Sequence, residues 1–489
     1  MRYKNEKIYE INARILIKKF QANTLCEIPD NYWQDLAELG IKYIWLMGVW
    51  KIPETSVLKY CFESGLVNEY KNALHNWTEK DVAGSPYAIE DYEINPCLGK
   101  SNEELMLLRK KLNELGLKLI LDFIPNHFNA ESPLLKTNPE IFLPGDEFLL
   151  EDDPKTFFRS PLVSTHILAH GKDPNFDAWQ DTAQINYFSR EAKEFMKGRL
   201  LSVSKLCDGV RCDMAMLARS EVFANTWKRF AFTTRKSKSE FWKETIGKIR
   251  KSNPEFLFIA EAYWNMEWDL QQLGFDYTYD KRLYDRLIEG NVNSIKDHFL
   301  AGADYQHKSL RFIENHDEKR ALVTLGKEKS KAAAVLISTI PGISLFFEGQ
   351  FTGKKIKLPV QLNREPYEET DEELQHFYKK LLSITKDFEH GEYEWNMLET
   401  LPAWEGNFTN SNFLAWQISG MNKNYIVCIN YANYTSQCRI KPVFKSEKDE
   451  IIFIDKLNNN EYTRETNDVK KNGLYVELCE YACHVFYME

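Results

Sequence analysis

The chain has 489 residues, enough for about three ordinary domains or for one large α/β barrel with an appended unit. Its net charge of −9 and lack of a basic stripe exclude a general nucleic-acid binder, and no apolar run reaches the length of a membrane span. Nine scattered cysteines, odd in number and without a CxxC pair, exclude a zinc site of ordinary spacing and point to reduced thiols. No apolar signal core follows Met1–Lys7, so the expected location is cytoplasmic, with no membrane partner.

In chain order, Ile8–Leu16 alternates and reads as a first strand. A helix follows from Asp30 to Leu39, ended by Gly40, and Tyr43–Met47 is a continuous apolar run of the kind that forms a buried parallel strand. Pro53–Leu98 reads as a long irregular loop carrying Trp77 and Gly84-Ser85-Pro86-Tyr87, and a loop of that length is usually functional. Ser101 and Glu104 form a capping-box pattern before an amphipathic helix. Leu117–Ile124 is the third strand.

From 128 to 182 the rhythm lapses into a segment rich in Pro, Asp, Phe and Gly, expected to be a small inserted subdomain. Ser189–Leu206 is a helix leading to a fourth strand at Gly209, and helices follow at Ser220–Phe230 and Ser239–Lys251. Strands five to eight fall at Phe256–Ala260, Phe275–Tyr277, Leu310–Ile313 and Ile343–Phe347, with a last helix at Asp371–Lys386. After about 389 the texture becomes short alternating runs between polar turns. The expected architecture is a (β/α)8 TIM barrel over 1–389, interrupted by the insertion at 128–182, with a C-terminal antiparallel β-sandwich over 390–489.

In such barrels chemistry sits at the C-terminal ends of the strands. Asp213 follows strand four, Glu261 strand five and Asp317 strand seven. Side chains alternate with period two, so Arg211 and Asp213 share one strand face while Val210 and Cys212 share the other. A guanidinium beside Asp213 favours its ionised, nucleophilic form. Glu261, after an apolar strand and beside Ala262, Tyr263 and Trp264, suits a raised pKa and the work of a general acid. Asp317 is placed to orient sugar hydroxyls and to help hold the Glu261 proton. Together these roles describe retaining glycoside hydrolysis through a covalent glycosyl-enzyme.

Four short stretches carry a family resemblance: Asp122-Phe123-Ile124-Pro125-Asn126-His127, Gly209-Val210-Arg211-Cys212-Asp213, Phe258-Ile259-Ala260-Glu261-Ala262 and Phe312-Ile313-Glu314-Asn315-His316-Asp317. In this order, at strand ends, they resemble the conserved regions of the α-amylase family, glycoside hydrolase family 13, over about residues 8–390. The resemblance implies Asp213 as nucleophile, Glu261 as acid/base and Asp317 as transition-state stabiliser. It also implies Tyr87, His127, Arg211 and His316 around the reacting glucosyl ring, with Asp122 behind Arg211 holding it in place. Trp45–Trp50, Met214-Ala215-Met216 and Glu348-Gly349-Gln350 resemble a bacterial subset of the family.

Where relatives carry a polar pair after the nucleophile, this chain has Met216 and Leu217, which leaves the acceptor side and the linkage, α-1,4 or α-1,6, open. The chemistry requires no cofactor. Calcium, frequent in the family, has one candidate oxygen in Asn126, and a lone Asn is no site for a cation taking six to eight oxygens. Simpler readings stand beside these: Trp50 and Trp77 as core rather than sugar platforms, His127 as a structural histidine, Tyr87 as a loop anchor, Asp91 as a turn cap and Cys212 as a small core residue. The expected function is a retaining α-glucoside or α-glucan hydrolase on soluble intracellular oligosaccharides. The alternatives are a transglycosylase or isomerase of the same family, trehalose synthase-like or sucrose-active, and a non-catalytic sugar-binding scaffold. The sequence leaves hydrolysis against transfer and the oligomeric state open.

Overall fold

The computed structural model describes residues 1–228, 240–388, 392–421 and 423–489. The stretch Arg235-Lys236-Ser237-Lys238, which the sequence alone reads as a solvated connection between two helices, and the expected boundary near 389 lie outside them.

Eight parallel strands close a barrel: β1 (Asn5–Asn12), β2 (Tyr43–Met47), β3 (Lys118–Phe123), β4 (Gly209–Cys212), β5 (Leu257–Ala260), β6 (Tyr277–Tyr279), β7 (Ser309–Arg311) and β8 (Gly342–Phe347). Each pairs with the next, and six residues of β8 pair with β1 to close the ring. Alternation sorts each strand between two cores. Ile8, Trp45, Ile120, Ile259, Tyr279 and Leu345 fill the lumen. Tyr9, Ile11, Ile44, Leu121, Val210 and Cys212 face outward onto the helices, so Cys212 is a core residue. Gly209 opens β4 because a Cβ there would lie 2.6 Å from the Leu257 Cβ and 2.7 Å from its carbonyl oxygen; only a bare backbone fits between β3 and β5.

Several expectations shift. The first strand runs Asn5–Asn12 rather than Ile8–Leu16. Asn12 ends it by capping a helix, Ala13–Lys19, its side chain accepting from the Arg14 and Ile15 amides. The Pro53–Leu98 segment is not irregular: it holds helices Glu54–Tyr60 and Ser64–Ala73 and a strand, Asp91–Ile94, paired with Trp50–Lys51. No capping box forms at Ser101. Helix Glu103–Glu114 starts after Asn102, whose amide instead bonds Tyr92 O and the Ile94 amide. The eight barrel strands otherwise fall within a few residues of their expected places. The 128–182 segment leaves at His127–Asn129 and returns at Thr182–Gln184, the two stretches pairing antiparallel, with a hairpin Phe157–Arg159/Ile167–Ala169 between.

After helix Glu372–Lys386 the chain builds a seven-stranded antiparallel sheet facing a three-stranded one, around Phe413, Ile426, Ile440, Phe453, Val476 and Phe486. A feature the 1–389 boundary did not anticipate is the terminal strand Arg2–Tyr3, which belongs to this sheet and pairs with Tyr393–Met397.

Candidate active site

The strand ends of β4, β5 and β7 bring their polar side chains together over the lumen. Arg211, fully buried, is the centre. Its Nη1 lies 2.7 Å from Asp213 Oδ1 and 3.5 Å from Asp122 Oδ1, and its Nη2 lies 2.9 Å from Glu261 Oε2. Nε donates to the Tyr279 hydroxyl at 3.2 Å. The rings of Trp45, Tyr87 and Tyr279 surround the guanidinium at 5.2–5.5 Å, a cage that favours a cation. The sequence assigned Arg211 to Asp213; the structure shares it between Asp213 and Glu261.

Glu261 is held on both oxygens. Met214 N–H donates to Oε2 at 2.6 Å and the Tyr263 hydroxyl to Oε1 at 3.0 Å. The Met214 amide points there because the chain turns left-handed directly after Asp213, with φ +41° at a non-glycine residue. Such backbone is costly and persists where surrounding contacts impose it. Burial pushes the Glu261 carboxyl up to about 7 against the pull of Arg211, with the charges of Asp213 and Asp317 adding to the rise. Burial also raises Asp213, opposed by Arg211. Asp122 is pushed by burial up to about 7, again against Arg211.

Asp317 stands at the mouth, its side chain 45% exposed, with Oδ2 3.0 Å from His316 Nε2. His316 also meets the Tyr87 hydroxyl at 2.7 Å, and on its far side Nδ1 forms a short contact with Glu10 Oε1. Burial disfavours a charged His316, yet Asp317 and Glu10, one on each ring nitrogen, hold its pKa well above the ordinary value. Although desolvation opposes it, His316 in turn keeps Asp317 below the usual carboxylate range.

Seven of the eight residues singled out in the sequence thus form one contact network: Asp122, Arg211, Asp213, Glu261, His316, Asp317 and Tyr87. His127 reaches it only through the Tyr87 backbone. Burial lowers its pKa to about 4, and its ring packs on Trp179 at 5.4 Å. Trp50 is core, donating to Asp122 O at 2.7 Å, and Trp77 packs edge-on against Tyr70. Asp91 pairs with Arg199 at 2.6 Å. Leu217, placed at the acceptor side by the sequence, is buried at 2% exposure and presents nothing to an open cleft. Sequence reasoning missed Glu10, Trp45 and Tyr279, and read Tyr263 as part of the apolar surroundings of Glu261 rather than as a donor to it. Glu10 had a signal: a charge two residues from Ile8 in an alternating strand shares its lumen face.

Asn126 is the one oxygen donor the sequence offered to a calcium ion. Its Oδ1 accepts from Gln184 Nε2 at 3.0 Å, and among the described residues no group of three or more His, Cys, Asp and Glu is placed to hold a metal.

The closed eight-stranded barrel gathers carboxylates at the ends of β4, β5 and β7, the groups that glycoside hydrolysis uses, and the comparisons with known proteins give the family. Residues 32–400 match the family model of the α-amylase catalytic domain, and the chain belongs to that family of glycoside hydrolases. It is 23% identical over 322 residues to α-amylase MalA of Haloarcula japonica, covering 63% of this chain and 42% of that protein. It is 23% identical over 327 residues to an intracellular maltogenic amylase of Bacillus subtilis, covering 64% and 52%. The chain thus spans about half the length of these curated relatives. In fold it is similar to a maltogenic α-amylase, AmyB, of Thermotoga neapolitana, with a TM-score of 0.69 at 20% identity, covering 99% of this chain and 98% of that one. Among the described residues no helix is long and apolar enough to cross a membrane.

Proposed function

We propose that the protein is a retaining α-glucosidase-type hydrolase of soluble oligosaccharides or short glucans, with Asp213 as nucleophile, Glu261 as acid/base and Asp317 as the group that stabilises developing charge. The observation carrying this reading is the single guanidinium shared by Asp213 and Glu261, with Glu261 protonatable near neutrality and Asp317 held ionised at the mouth. In the first step an Asp213 oxygen bonds to the anomeric carbon as the bond to the leaving oxygen breaks, and Glu261 gives its proton to that oxygen. In the second, water attacks the same carbon, its proton passes to Glu261, and the bond to Asp213 breaks to restore the carboxylate. Asp317 faces the positive charge that builds on the ring in both steps. The presence of all three carboxylates with Arg211 and His316 supports catalysis over a sugar-binding scaffold. Nine unpaired thiols and the intracellular amylase among the relatives support a reducing compartment.

The test is mass spectrometry of Glu261→Gln after exposure to α-glucosyl fluoride, whose leaving group needs little protonation. The variant should accumulate a covalent sugar on Asp213, because the second step lacks its base, and added azide should release it as an α-glucosyl azide, the retained configuration. A label on Asp317, or no label with an active wild type, refutes the assignment.

A further inference from the structure

We infer that the site admits one glycosyl unit from the non-reducing end of its substrate, because two clasped loops close the donor side of the mouth. The inference rests on the glycosidase reading above. A glycoside is cleaved with its leaving oxygen against Glu261, so any further sugar on the donor side must extend the opposite way. That direction runs from Glu261 across Arg211 to Tyr87 and His316, each in contact with the next.

There the loop that follows β8 crosses the ends of β8, β1 and β2. Lys357 reaches Asp317 O with its ammonium, and Arg320 binds Glu348 O at 3.0 Å and Ile356 O at 3.4 Å. Between this loop and the strand ends at Asn12, Met47, His316 and Phe347 a cavity of about 30 Å³ remains, room for water but not for a sugar ring.

The loop is fastened to the segment that carries Tyr87. Ala83 N–H donates to Gln361 O at 2.8 Å and Asn363 N–H to Asp81 O at 2.9 Å, with Val82 and Leu362 bridged antiparallel between them. Arg364 grips Asp81 with two parallel bonds of 2.8 and 2.9 Å, the geometry that gives Arg–carboxylate pairs their strength. Beneath both segments Arg14, fully buried, donates to Gly84 O at 2.8 Å and Val360 O at 2.5 Å, so one side chain ties the two loops. Leu362, fully buried among Cys61, Tyr70 and Val82, anchors the loop in an apolar cluster of its own. A wall with its own core and three kinds of fastening is built to stay shut, which distinguishes a pocket from an open groove.

The experiment compares p-nitrophenyl α-maltopentaoside with the same compound carrying a 4,6-O-ethylidene block on its non-reducing glucose. The wild type should release glucose, one unit at a time, from the free compound and should act at least a hundredfold more slowly on the blocked one. Arg364→Ala, which opens the clasp away from the carboxylates, should raise cleavage of the blocked compound tenfold or more. Blocked and free substrates cleaved at rates within tenfold of each other, maltose as the first product, or an Arg364→Ala preference identical to wild type would overturn the inference. Turnover of α-glucosyl fluoride, measured alongside, separates the two readings. It persists if only the closed donor side is wrong and vanishes if the glycosidase reading itself is wrong.

Discussion

Replacing Glu10 with Gln removes one of the two negative charges that flank His316 while keeping the side chain's shape and an acceptor oxygen. Glu10 is 0% exposed, so solvent does not screen the interaction. A hydrogen bond between charged groups contributes about 1.5–3 kcal/mol, which is roughly a tenfold to hundredfold change in the ratio of charged to neutral imidazole. His316 has a raised pKa in the folded protein, because Asp317 and Glu10 outweigh the burial that opposes its charge. Its stabilising contribution is therefore complete below the pKa of the unfolded side chain, about 6.5, and is lost as pH rises through the folded value. Glu10→Gln should lower the unfolding free energy by about 1.5–3 kcal/mol at pH 6, with a deficit that shrinks toward alkaline pH. In parallel, the alkaline limb of kcat/KM on α-glucosyl fluoride should move to lower pH, as His316 loses its charge earlier and with it the grip on Asp317. Urea unfolding at a series of pH values and the rate profile measure the two effects. A deficit that is constant or grows with pH, together with an unmoved rate profile, would refute the reasoning.

Tyr263→Phe removes a donor to the ionised form of Glu261, so the acid should keep its proton to higher pH. The alkaline limb on an aryl α-glucoside, set by a group pushed by burial up to about 7, should rise by about one pH unit; an unchanged or lowered limb counts against that bond. Leu217→Lys must bury an ammonium at a site 2% exposed, which costs several kcal/mol unless the turn opens. Its denaturation midpoint should fall clearly, and a midpoint equal to wild type would show that the side chain reaches solvent.

The strand ends were legible because a buried parallel strand and its terminal carboxylate leave a compact signature, an apolar run closing on a polar residue, as at Phe258–Glu261 or Phe312–Asp317. Where apolar residues continue past the strand, that signature blurs. Ile15, Leu16 and Ile17 extend the pattern of β1, and only the Asn12 cap marks the turn into a helix. Glu10 lies in the expected and the observed strand alike, on the face of Ile8, but its partner His316 is brought to it only by the closed barrel. The helices at 54–60 and 64–73 were missed because each is short and buries few residues against a small satellite cluster rather than a broad amphipathic stripe. The sharing of Arg211 between two carboxylates could not be read at all: β4 and β5 lie side by side only in the folded sheet, and no spacing along the chain encodes how far a guanidinium reaches across it. The wall over the donor side is likewise a pairing of residues 81–84 with 360–364, visible only once the barrel has brought them together.

The strand Arg2–Tyr3 gives synthesis order a bearing on this fold. Its partner, Tyr393–Met397, is translated after every strand of the barrel. At about 5–20 residues per second, the nascent β1 waits on the order of tens of seconds for both its seam with β8 and the sheet that takes up the residues just ahead of it. During that interval β1 has an open edge, the kind of surface that recruits chaperones or other chains. Its buried charges, Lys7 and Glu10, make that edge a poor template for wrong pairing while the ribosome finishes the chain.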